Sequence, residues 1–389
     1  MQNKKLMINE RQVALQKLKD FINENYVFRY NILLQAVEVK KARTDYGQFR
    51  LLDKRLRATI VNDAIMDGIE VREADVKRML DSLFVMDYDP INDFLANVGT
   101  WDGKDRIGEL ARRVNSQNQC WIEFFHKWFL GMVNTWMGHD TMHANSLVPV
   151  IVGKQGSFKS TFCRSILPEQ FRYAFAEQMQ IGNQAETARC MGRFALINLD
   201  EFDQLNERRQ AILKNVTQTP ISKVRKLYSN NIVDVRRFAS FIATSNHIDL
   251  LTDTSGSRRF ICVEVDGMID MTEPIDYCQL YAQAKEELSM GKQHWLDADD
   301  EKRLEQNNKE FRQVSPLMQM FNDCYCKPVD DESGVWVTPL EMVCAMNKAC
   351  KLHLDINKSK SLGRELRAQG LKCRRVSRGV EYWVSERKE

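Results

Sequence analysis

The chain has 389 residues, of which 43% are hydrophobic and 28% charged, ordinary values for a folded protein that exclude wholesale disorder. This length predicts roughly two or three domains of about 150 residues each. No apolar run approaches the roughly 18–20 residues that span a bilayer, and the first residues lack a secretory signal, so we expect a cytoplasmic protein. Its ten cysteines form no CxxC pair, which predicts free thiols in a reducing compartment.

The charge is distributed unevenly along the chain. The net charge of the whole chain is only +3, but residues 351–389 contain eleven Lys or Arg against five Asp or Glu. This end therefore carries +6, and the remaining 350 residues sum to −3. The distribution predicts one basic end on an otherwise slightly acidic molecule.

The first part of the chain is predicted to form short helices. Apolar residues recur at helical spacing in residues 11–26 and 72–84, with a strand–turn element near residues 49–52 between them. Pro90 can open another helix, and a turn rich in Gly follows it. A strongly apolar helix is then predicted at residues 121–136. We assign residues 1–115 to a helical N-terminal domain.

From residue 145 onwards the pattern alternates between strands and helices. Amphipathic stretches separate four short apolar runs, at residues 147–152, 194–199, 237–243 and 259–265. This alternation predicts an α/β fold with a mostly parallel sheet and flanking helices. We assign the α/β core to residues 116–295 and a charged helical connector to residues 296–314.

The first of these strands runs into a stretch with the parts of a phosphate-binding loop, in the order that such a loop requires. Its glycines let backbone N–H groups turn towards an anion, and a helix is predicted to begin at the loop's lysine. That lysine would reach the β- and γ-phosphates, and the serine after it would hold Mg²⁺. The candidate residues are Gly153, Gln155, Gly156, Ser157, Phe158, Lys159, Ser160 and Thr161.

Two residues conflict with this interpretation. Phe158 stands where the GxxxxGK[ST] motif usually has its last glycine, and a side chain there requires a different turn. Pro149 lies in a predicted central strand, which tolerates proline only near its start. Taken alone, the stretch could therefore be a glycine-rich turn between a strand and a helix.

Polar residues end the second and third strands and precede the fourth. Asp200 would lie beside the Mg²⁺, and Glu201 could orient and deprotonate the attacking water. The amide of Asn246 could bind that water or the γ-phosphate. Arg258 or Arg259 could stabilise transition-state charge on a neighbouring subunit's nucleotide. Taken singly, solvated acids, an asparagine turn and solvated arginines are the simpler interpretations.

Together, the segments GKQGSFKST, LINLDEF, IATSN and GSRRF make the chain resemble the virulence-associated E family of phage and mobile-element proteins. This family is related to superfamily 3 helicases within the AAA+ class. The resemblance covers roughly residues 88–267, including YDPINDFL and WDGKDRI upstream. It implies an AAA+-type P-loop NTPase core that uses ATP and Mg²⁺, with Asn246 as sensor 1 and Arg258 or Arg259 as arginine finger. Residues 315–389 resemble the small C-terminal domain of Bacteroides-type members.

The resemblance also implies a DNA-contacting hairpin between the second and third strands. Residues 224–228 and 232–236 could pair across Ser229-Asn230-Asn231. Basic side chains bind phosphates and an aromatic ring can stack on a base, so such a hairpin could track a DNA strand. The candidate DNA contacts are Lys223, Arg225, Lys226 and Tyr228. The alternative is a solvated hairpin whose charges only maintain solubility.

Residues 315–389 are predicted to form a second small fold. Three helices, at residues 316–326, 339–352 and 358–369, precede a hairpin that turns near residue 378. This order is typical of a winged helix, so we expect a basic winged-helix-like C-terminal domain. Its ribbon would contact duplex DNA through Arg374, Arg375 and Arg378, with the third helix suited to the major groove. A solvated basic surface on a packing domain is the alternative.

These features predict an ATP-dependent DNA helicase or translocase that replicates a phage or integrated mobile element. ATP would be hydrolysed between the subunits of a homo-oligomeric ring, expected to be a hexamer. The expected partners are single-stranded DNA, duplex origin DNA and a primase or other replication protein, but no membrane. One alternative is an ATP-switched replication initiator or loader without processive unwinding. Another is a non-catalytic DNA-binding protein in which the loop binds nucleotide only structurally.

Overall fold

The computed structural model describes residues 2–43, 47–138, 140, 142–179, 184–205, 207–225, 232–251, 257–328, 333–349, 355, 357–377 and 379–387. The buried apolar side chains of these residues form four clusters. One lies within residues 18–85, two cover the opposite faces of a central sheet, and the fourth lies within residues 317–384.

The N-terminal part contains a sheet as well as helices. Its elements are α1 (Gln2–Asn25), β1 (Tyr26–Asn31), β2 (Ala36–Lys41), β3 (Arg50–Leu51), α2 (Lys54–Met66), α3 (Glu73–Leu80) and β4 (Asp87–Tyr88). The strand order is β3-β2-β1-β4, with β1 and β2 antiparallel. Tyr26, Phe28 and Tyr30 of β1 alternate onto the cluster that α1 and α2 cover, as β-strand geometry requires. The N-terminal part, predicted as helical with one strand–turn element near residues 49–52, therefore also contains a four-stranded sheet.

Three helices follow and pack against the central sheet. They are α4 (Pro90–Asn97), α5 (Arg106–Arg112) and α6 (Trp121–Met137). The carboxylate of Asp89 caps α4 by accepting bonds from two amides of its first turn, and proline occupies the first position. Apolar residues of α4, α5 and α6 belong to one cluster with the sheet, from Ile91 onwards. Apart from Leu33, which belongs to the cluster of the sheet, the buried apolar residues change cluster between Val85 and Ile91.

The central unit is a five-stranded parallel sheet with a hairpin attached. Its elements are β5 (Val148–Val152), α7 (Lys159–Ser165), β6 (Phe175–Ala176), α8 (Gln184–Arg193), β7 (Leu196–Leu199), α9 (Glu207–Thr217), β8 (Ile221–Arg225), β9 (Ile232–Arg236), β10 (Ser240–Ser245) and β11 (Phe260–Glu264). The strand order is β11-β5-β10-β7-β6, and all pairs are parallel. The predicted α/β fold with a parallel sheet and flanking helices is confirmed.

Pro149 fits into the central strand because of its position. It is the second residue of β5, and the pairing of β5 with β10 begins only at Val150. Its missing N–H therefore costs no ladder bond to β10, which is the condition under which a strand tolerates proline.

Two tryptophans of α6 fasten this helix to the sheet. The Trp128 indole N–H donates to the Phe241 carbonyl oxygen at 3.0 Å, and that of Trp136 donates to the Ala195 carbonyl oxygen at 3.2 Å. Both rings are fully buried, so each contributes apolar area while its one donor is satisfied. The apolar helix predicted at residues 121–136 therefore covers one face of the sheet.

Two more helices, α10 (Tyr277–Ser289) and α11 (Ala298–Asn307), complete this unit. Leu304 of α11 and Phe311 after it are buried in the clusters on the two faces of the sheet. The predicted connector at residues 296–314 is thus helical as expected, but it packs onto the core.

The C-terminal part has its own apolar cluster. Its elements are α12 (Pro316–Cys324), β12 (Tyr325–Cys326), β13 (Val335–Val337), α13 (Pro339–Ala349), α14 (Lys358–Ala368), β14 (Cys373–Val376) and β15 (Gly379–Glu386). The three predicted helices and the predicted hairpin are present. The short strand β13, which pairs with β15, was not predicted because three residues are too few for a pattern. The winged-helix assignment stays a prediction.

The described residues bear on two expectations, that no helix spans a membrane and that the cysteines are free. None of the helices in these ranges combines the length and the apolar character that crossing a membrane requires. The nine cysteines within the same ranges are all free, as predicted. Cys163 and Cys262 are buried, whereas Cys278 is exposed.

Candidate nucleotide site and basic surfaces

The predicted phosphate loop connects β5 to α7 at the carboxyl edge of the sheet. The Gly153 N–H donates to the Ser245 carbonyl oxygen at 3.1 Å, which ties the loop to the neighbouring strand β10. Within the loop, the N–H and the hydroxyl of Ser157 both donate to the Lys154 carbonyl oxygen, at 3.3 and 2.8 Å. The loop is therefore closed on itself and anchored to the sheet.

Phe158 adopts the left-handed backbone conformation, with φ at 65°. Glycine takes this conformation freely, whereas a side chain in it costs roughly 1–2 kcal/mol. The ring is 45% exposed, so burial of the side chain does little to offset this cost. The phenylalanine is thus accommodated by backbone strain at the position where the motif has glycine.

Lys159 joins the loop to the end of β10. Its side chain is buried, and its Nζ donates to the carbonyl oxygens of Gly153 and Lys154 at 2.6 and 2.8 Å. The same Nζ donates to Oδ1 of Asn246 at 3.1 Å. Burial lowers the pKa of Lys159, while the carboxylate of Asp200 acts in the opposite direction. An ammonium held by carbonyl oxygens can exchange them for the oxygens of an anion.

The ends of β7 and β10 are linked by hydroxyl–carboxylate bonds. Thr244 of β10 donates its hydroxyl to Asp200, and the Ser245 hydroxyl donates to Oδ1 of Asp203 at 2.7 Å. Because β10 lies between β5 and β7, Asn246 stands between the loop and Asp200. Thr244, Ser245 and Asp203 were not predicted, although the polar run after each strand could have indicated them.

Glu201 also has a left-handed backbone, with φ at 52°, and its side chain is exposed. Among the described non-glycine residues, only Gln35, Phe158 and Glu201 have positive φ. Two of these three residues belong to the candidate site. Strained backbone concentrates at functional sites, where the surrounding structure enforces it. The strain at Phe158 and Glu201 therefore supports the choice of this edge as the site.

A metal ion at this edge would rely on hard oxygen ligands. The described residues contain no group of three or more His, Cys, Asp or Glu that could hold a metal by itself. Ser160 is exposed next to Lys159, and the Asp200 carboxylate lies at the end of β7. One hydroxyl and one carboxylate, completed by phosphate oxygens and waters, suit Mg²⁺, which keeps most of its waters. The donors present therefore fit the predicted ion.

Arg258 and Arg259 lie at the opposite edge of the sheet. They precede β11, which is parallel to β5 with Phe260 opposite Val148. The length of β5 therefore separates them from the loop, about 15 Å at a rise of roughly 3.3 Å per residue. Arg258 pairs with Glu301 at 3.3 Å, and burial lowers the pKa of Arg259. The structure does not bring either arginine to the loop of its own chain.

A cavity of about 590 Å³ adjoins these two arginines. Its other walls come from α6, the segment before β5, the end of α9 and the segment before α11. Lining residues include Asn134, His143, Asn145, Gln218, His294 and Glu301.

The predicted DNA-contacting hairpin is present with a shifted first strand. β8 and β9 are antiparallel, with Ile221 opposite Arg236 and Arg225 opposite Ile232. The first strand was expected at residues 224–228, but it begins three residues earlier, at Ile221, and it is Arg225 that lies opposite Ile232. Lys223 and Arg225 lie in β8. Lys226 and Tyr228 lie outside the described residues.

The candidate DNA contacts in the C-terminal ribbon differ in their surroundings. Arg374 pairs with the buried carboxylate of Glu381 at 2.8 Å and lies 4.4 Å from the ring centroid of Trp336. Arg374 and Arg375 are both exposed, but Arg374 also makes these structural contacts. Arg378 lies outside the described residues. The basic residues of α14 are exposed along the helix, namely Lys358, Lys360, Arg364 and Arg367.

These features define a mixed α/β protein whose candidate site lies at the carboxyl edge of a parallel sheet. The family model described as the virulence-associated protein E-like domain matches residues 95–313, more than half of the chain, and the chain belongs to this family. A model described as a domain of unknown function from B. theta matches residues 314–384. The predicted membership of the virulence-associated E family is confirmed. The relation to superfamily 3 helicases stays a prediction.

Solved structures provide a weaker comparison. The A-form apo structure of the C-terminal region of NrS-1 is 12% identical, with a TM-score of 0.45, over 96% of this chain and 99% of that one. Another apo structure of the same region has a TM-score of 0.46 at 12% identity and the same coverage. Similarity at this level supports no conclusion about function. No curated protein matches the chain.

Proposed function

We propose that this chain is an ATPase of the AAA+ class that acts on DNA, as a helicase or translocase in the replication of a phage or integrated mobile element. The observation that carries the proposal is the contact between Lys159 and Asn246, together with Asp200 at the end of the neighbouring strand. A cationic loop, an amide and a carboxylate at one sheet edge are the groups that phosphoryl transfer requires.

In this proposal the triphosphate binds in the loop, and Lys159 exchanges its carbonyl partners for phosphate oxygens. Ser160 and Asp200 would hold Mg²⁺, which would neutralise charge on the bound phosphates. Glu201 accepts a proton from the attacking water, since it is an exposed carboxylate directly after Asp200. Asn246 contacts Lys159 and would lie next to the γ-phosphate that this lysine holds, so it could respond to hydrolysis.

The position of the arginines supports assembly of the site between subunits. Arg258 and Arg259 lie at the amino edge of the sheet, about 15 Å from their own loop by strand geometry. An arginine finger acts only within reach of the transferring phosphoryl group. In our proposal the finger therefore belongs to the next subunit of a homo-oligomeric ring, which we expect to be a hexamer.

DNA would contact two other surfaces. The β8–β9 hairpin leaves the sheet at the start of β10, and we propose that it contacts single-stranded DNA. In the C-terminal part, the exposed cations of α14 and Arg375 form a basic surface that we propose binds duplex DNA. A primase or other replication protein remains an expected partner.

The second candidate function is an ATP-switched replication initiator or loader. The exposed basic side of α14 favours it, because duplex binding suits an initiator more than a translocase that encircles one strand. In this function the nucleotide would control assembly or DNA binding without processive unwinding.

Steady-state ATP turnover with and without single-stranded DNA tests the proposal. A translocase should hydrolyse ATP faster when DNA is present, and a switch should hydrolyse it slowly in both conditions. The Glu201→Gln variant should lose the turnover, while Glu169→Gln, a change of an exposed acid outside the candidate site, should retain it. A chain that binds no ATP would overturn both candidate functions.

A further inference from the structure

Two adjacent arginines fix the base of the β8–β9 hairpin. Arg237 is fully buried, and the hydrogen bonds of its guanidinium all go to backbone carbonyl oxygens. Nη1 donates to Thr217 at 2.6 Å, Nη2 to Asn145 at 2.8 Å and Nε to Ala239 at 2.5 Å. Among the described residues no carboxylate pairs with it. The guanidinium therefore joins the end of α9, the segment before β5 and the start of β10.

Arg236, the last residue of β9, fastens that strand to the end of α6. Its Nη2 donates to the Thr135 carbonyl oxygen at 3.1 Å and to that of Trp136, and the guanidinium lies 4.3 Å from the ring centroid of Phe238. These carbonyls belong to the last turn of α6, where the helix dipole favours a cation. Gly138 caps the helix directly after Met137, and a Cβ atom there would overlap the guanidinium of Arg236.

Stability alone is a poor explanation for Arg237. Burial of a cation without a counter-ion is costly unless every donor is satisfied, and an apolar residue of similar volume often stabilises a core more. A planar guanidinium with several directed donors does, however, fix the relative positions of the groups it joins. We therefore interpret Arg237 as the residue that sets the geometry of the hairpin base.

The base of the hairpin lies between the carboxyl edge of the sheet, which carries the loop, and the amino edge, which carries Arg258 and Arg259. β10 starts three residues after Arg237 and ends at Ser245, next to Asn246, which contacts Lys159. Asn145, whose carbonyl oxygen binds Arg237, and Gln218, which follows Thr217, line the cavity next to Arg258 and Arg259. Asn145 is itself fixed by its Nδ2, which donates to the Ser240 hydroxyl at 3.0 Å. Arg237 therefore contacts groups that lead to both edges of the sheet.

We propose that Arg237, assisted by Arg236, is a positioning residue that couples the nucleotide state of the sheet to the orientation of the hairpin. This inference rests on the proposed function, because it assumes that nucleotide binds at the loop. It predicts that a substitution at Arg237 separates the two events: nucleotide still binds, but the hairpin no longer responds to it.

Amide hydrogen exchange of the full chain tests the coupling. Peptides that contain residues 153–161 report nucleotide binding, and peptides that contain residues 232–236 report the hairpin. Each is compared with and without a non-hydrolysable ATP analogue and Mg²⁺. The variants are Arg237→Lys and Arg236→Lys, which keep the charge and change the donor geometry. The control is Arg172→Lys, because Arg172 is exposed and pairs with the nearby Glu169 at 3.5 Å.

In the wild type and in Arg172→Lys, both peptides should change protection when nucleotide is added. In Arg237→Lys the loop peptide should still gain protection, while the response of the hairpin peptide is lost. DNA stimulation of ATP turnover should fall about 10-fold, with basal turnover within about 2-fold of the wild type. If Arg237→Lys does not fold, Arg236→Lys carries the same expectation, because Arg236 is only half-buried.

Three results are distinguishable. If the hairpin responds in the variants as it does in the wild type, the inference is overturned and the proposed function stands. If the loop gains protection in the wild type but the hairpin does not respond, the inference is overturned in the same way. If the loop of the wild type gains no protection, the proposed function is overturned and this inference with it.

Discussion

Nζ of Lys159 lies 3.1 Å from Oδ1 of Asn246, although 87 positions separate the two residues in the chain. The contact exists because β5 and β10 are neighbours in the sheet, and the residues that follow them meet at its carboxyl edge. A lysine that already lies in a polar niche needs little reorganisation to hold a phosphate. We therefore treat this pair as the centre of the candidate site.

The first prediction concerns the two lysines of the loop. Lys159→Ala should abolish ATP binding and turnover, because it removes the only buried cation among the described residues of the loop. Lys154→Ala is the matched control, since Lys154 is exposed and contributes its carbonyl oxygen to the contact. Fluorescent-nucleotide titration measures both variants. Equal losses in the two variants would contradict the role given to Lys159.

The second prediction concerns the backbone strain at Phe158. At a φ of 65°, glycine should be favoured over any residue with a Cβ atom. We therefore expect Phe158→Gly to exceed Phe158→Ala in free energy of unfolding by about 1 kcal/mol, as measured by denaturant unfolding. Gly156→Ala, at a φ of 84°, should be destabilising by a similar amount. If Phe158→Ala proved the more stable of the two, the left-handed backbone at this residue would be wrong.

Sequence patterns indicate the central sheet well and the N-terminal sheet poorly. The parallel sheet and the loop were predictable, because short apolar runs followed by Gly, Asp or Asn indicate both the strands and the edge where they end. β1 and β2 were missed, because the helical periodicity of α1 runs up to Tyr26 and was extended past Asn25, the residue at which the helix ends. The start of β8 at Ile221 was also missed. Apolar residues are interspersed with polar ones along this segment, so the pattern fits the expected and the observed register equally well.

Other features depend on contacts between distant residues. Glu381 lies opposite Arg374 in the predicted hairpin, but nothing in the local sequence shows that Trp336 of β13 engages the same guanidinium. The burial of Arg237 is equally hidden, since two adjacent arginines are usually solvated. Sequence patterns indicate which residues carry charge, whereas tertiary packing decides which of those charges remain accessible.

The third prediction concerns the arginines at the amino edge of the sheet. Arg258→Ala or Arg259→Ala should bind ATP normally but fail to hydrolyse it, because the loop stays intact. Mixing the inactive variant with Lys159→Ala should restore part of the turnover, since some interfaces then combine an intact loop with an intact finger. Failure to recover activity in mixtures that demonstrably exchange subunits would show that the site is completed within one chain.

The fourth prediction concerns the basic surface of the C-terminal part. Arg364→Ala combined with Arg367→Ala should reduce the salt dependence of duplex DNA binding by about one unit for each DNA phosphate that the variant no longer neutralises. Arg374→Ala should instead lower the thermal stability of this part, because the buried Glu381 carboxylate loses its partner. The control is Arg172→Ala. An unchanged salt slope in the double variant would exclude α14 as a DNA-binding element.

The most direct test of the proposed mechanism is the Glu201→Gln variant, measured for ATP binding and for ATP turnover in the same preparation. Glutamine keeps the size of the side chain and removes only the group that accepts the proton. We predict wild-type nucleotide affinity together with turnover at least ~10²-fold slower. Wild-type turnover in this variant would contradict the assignment of the catalytic base, and with it the mechanism proposed for this edge of the sheet.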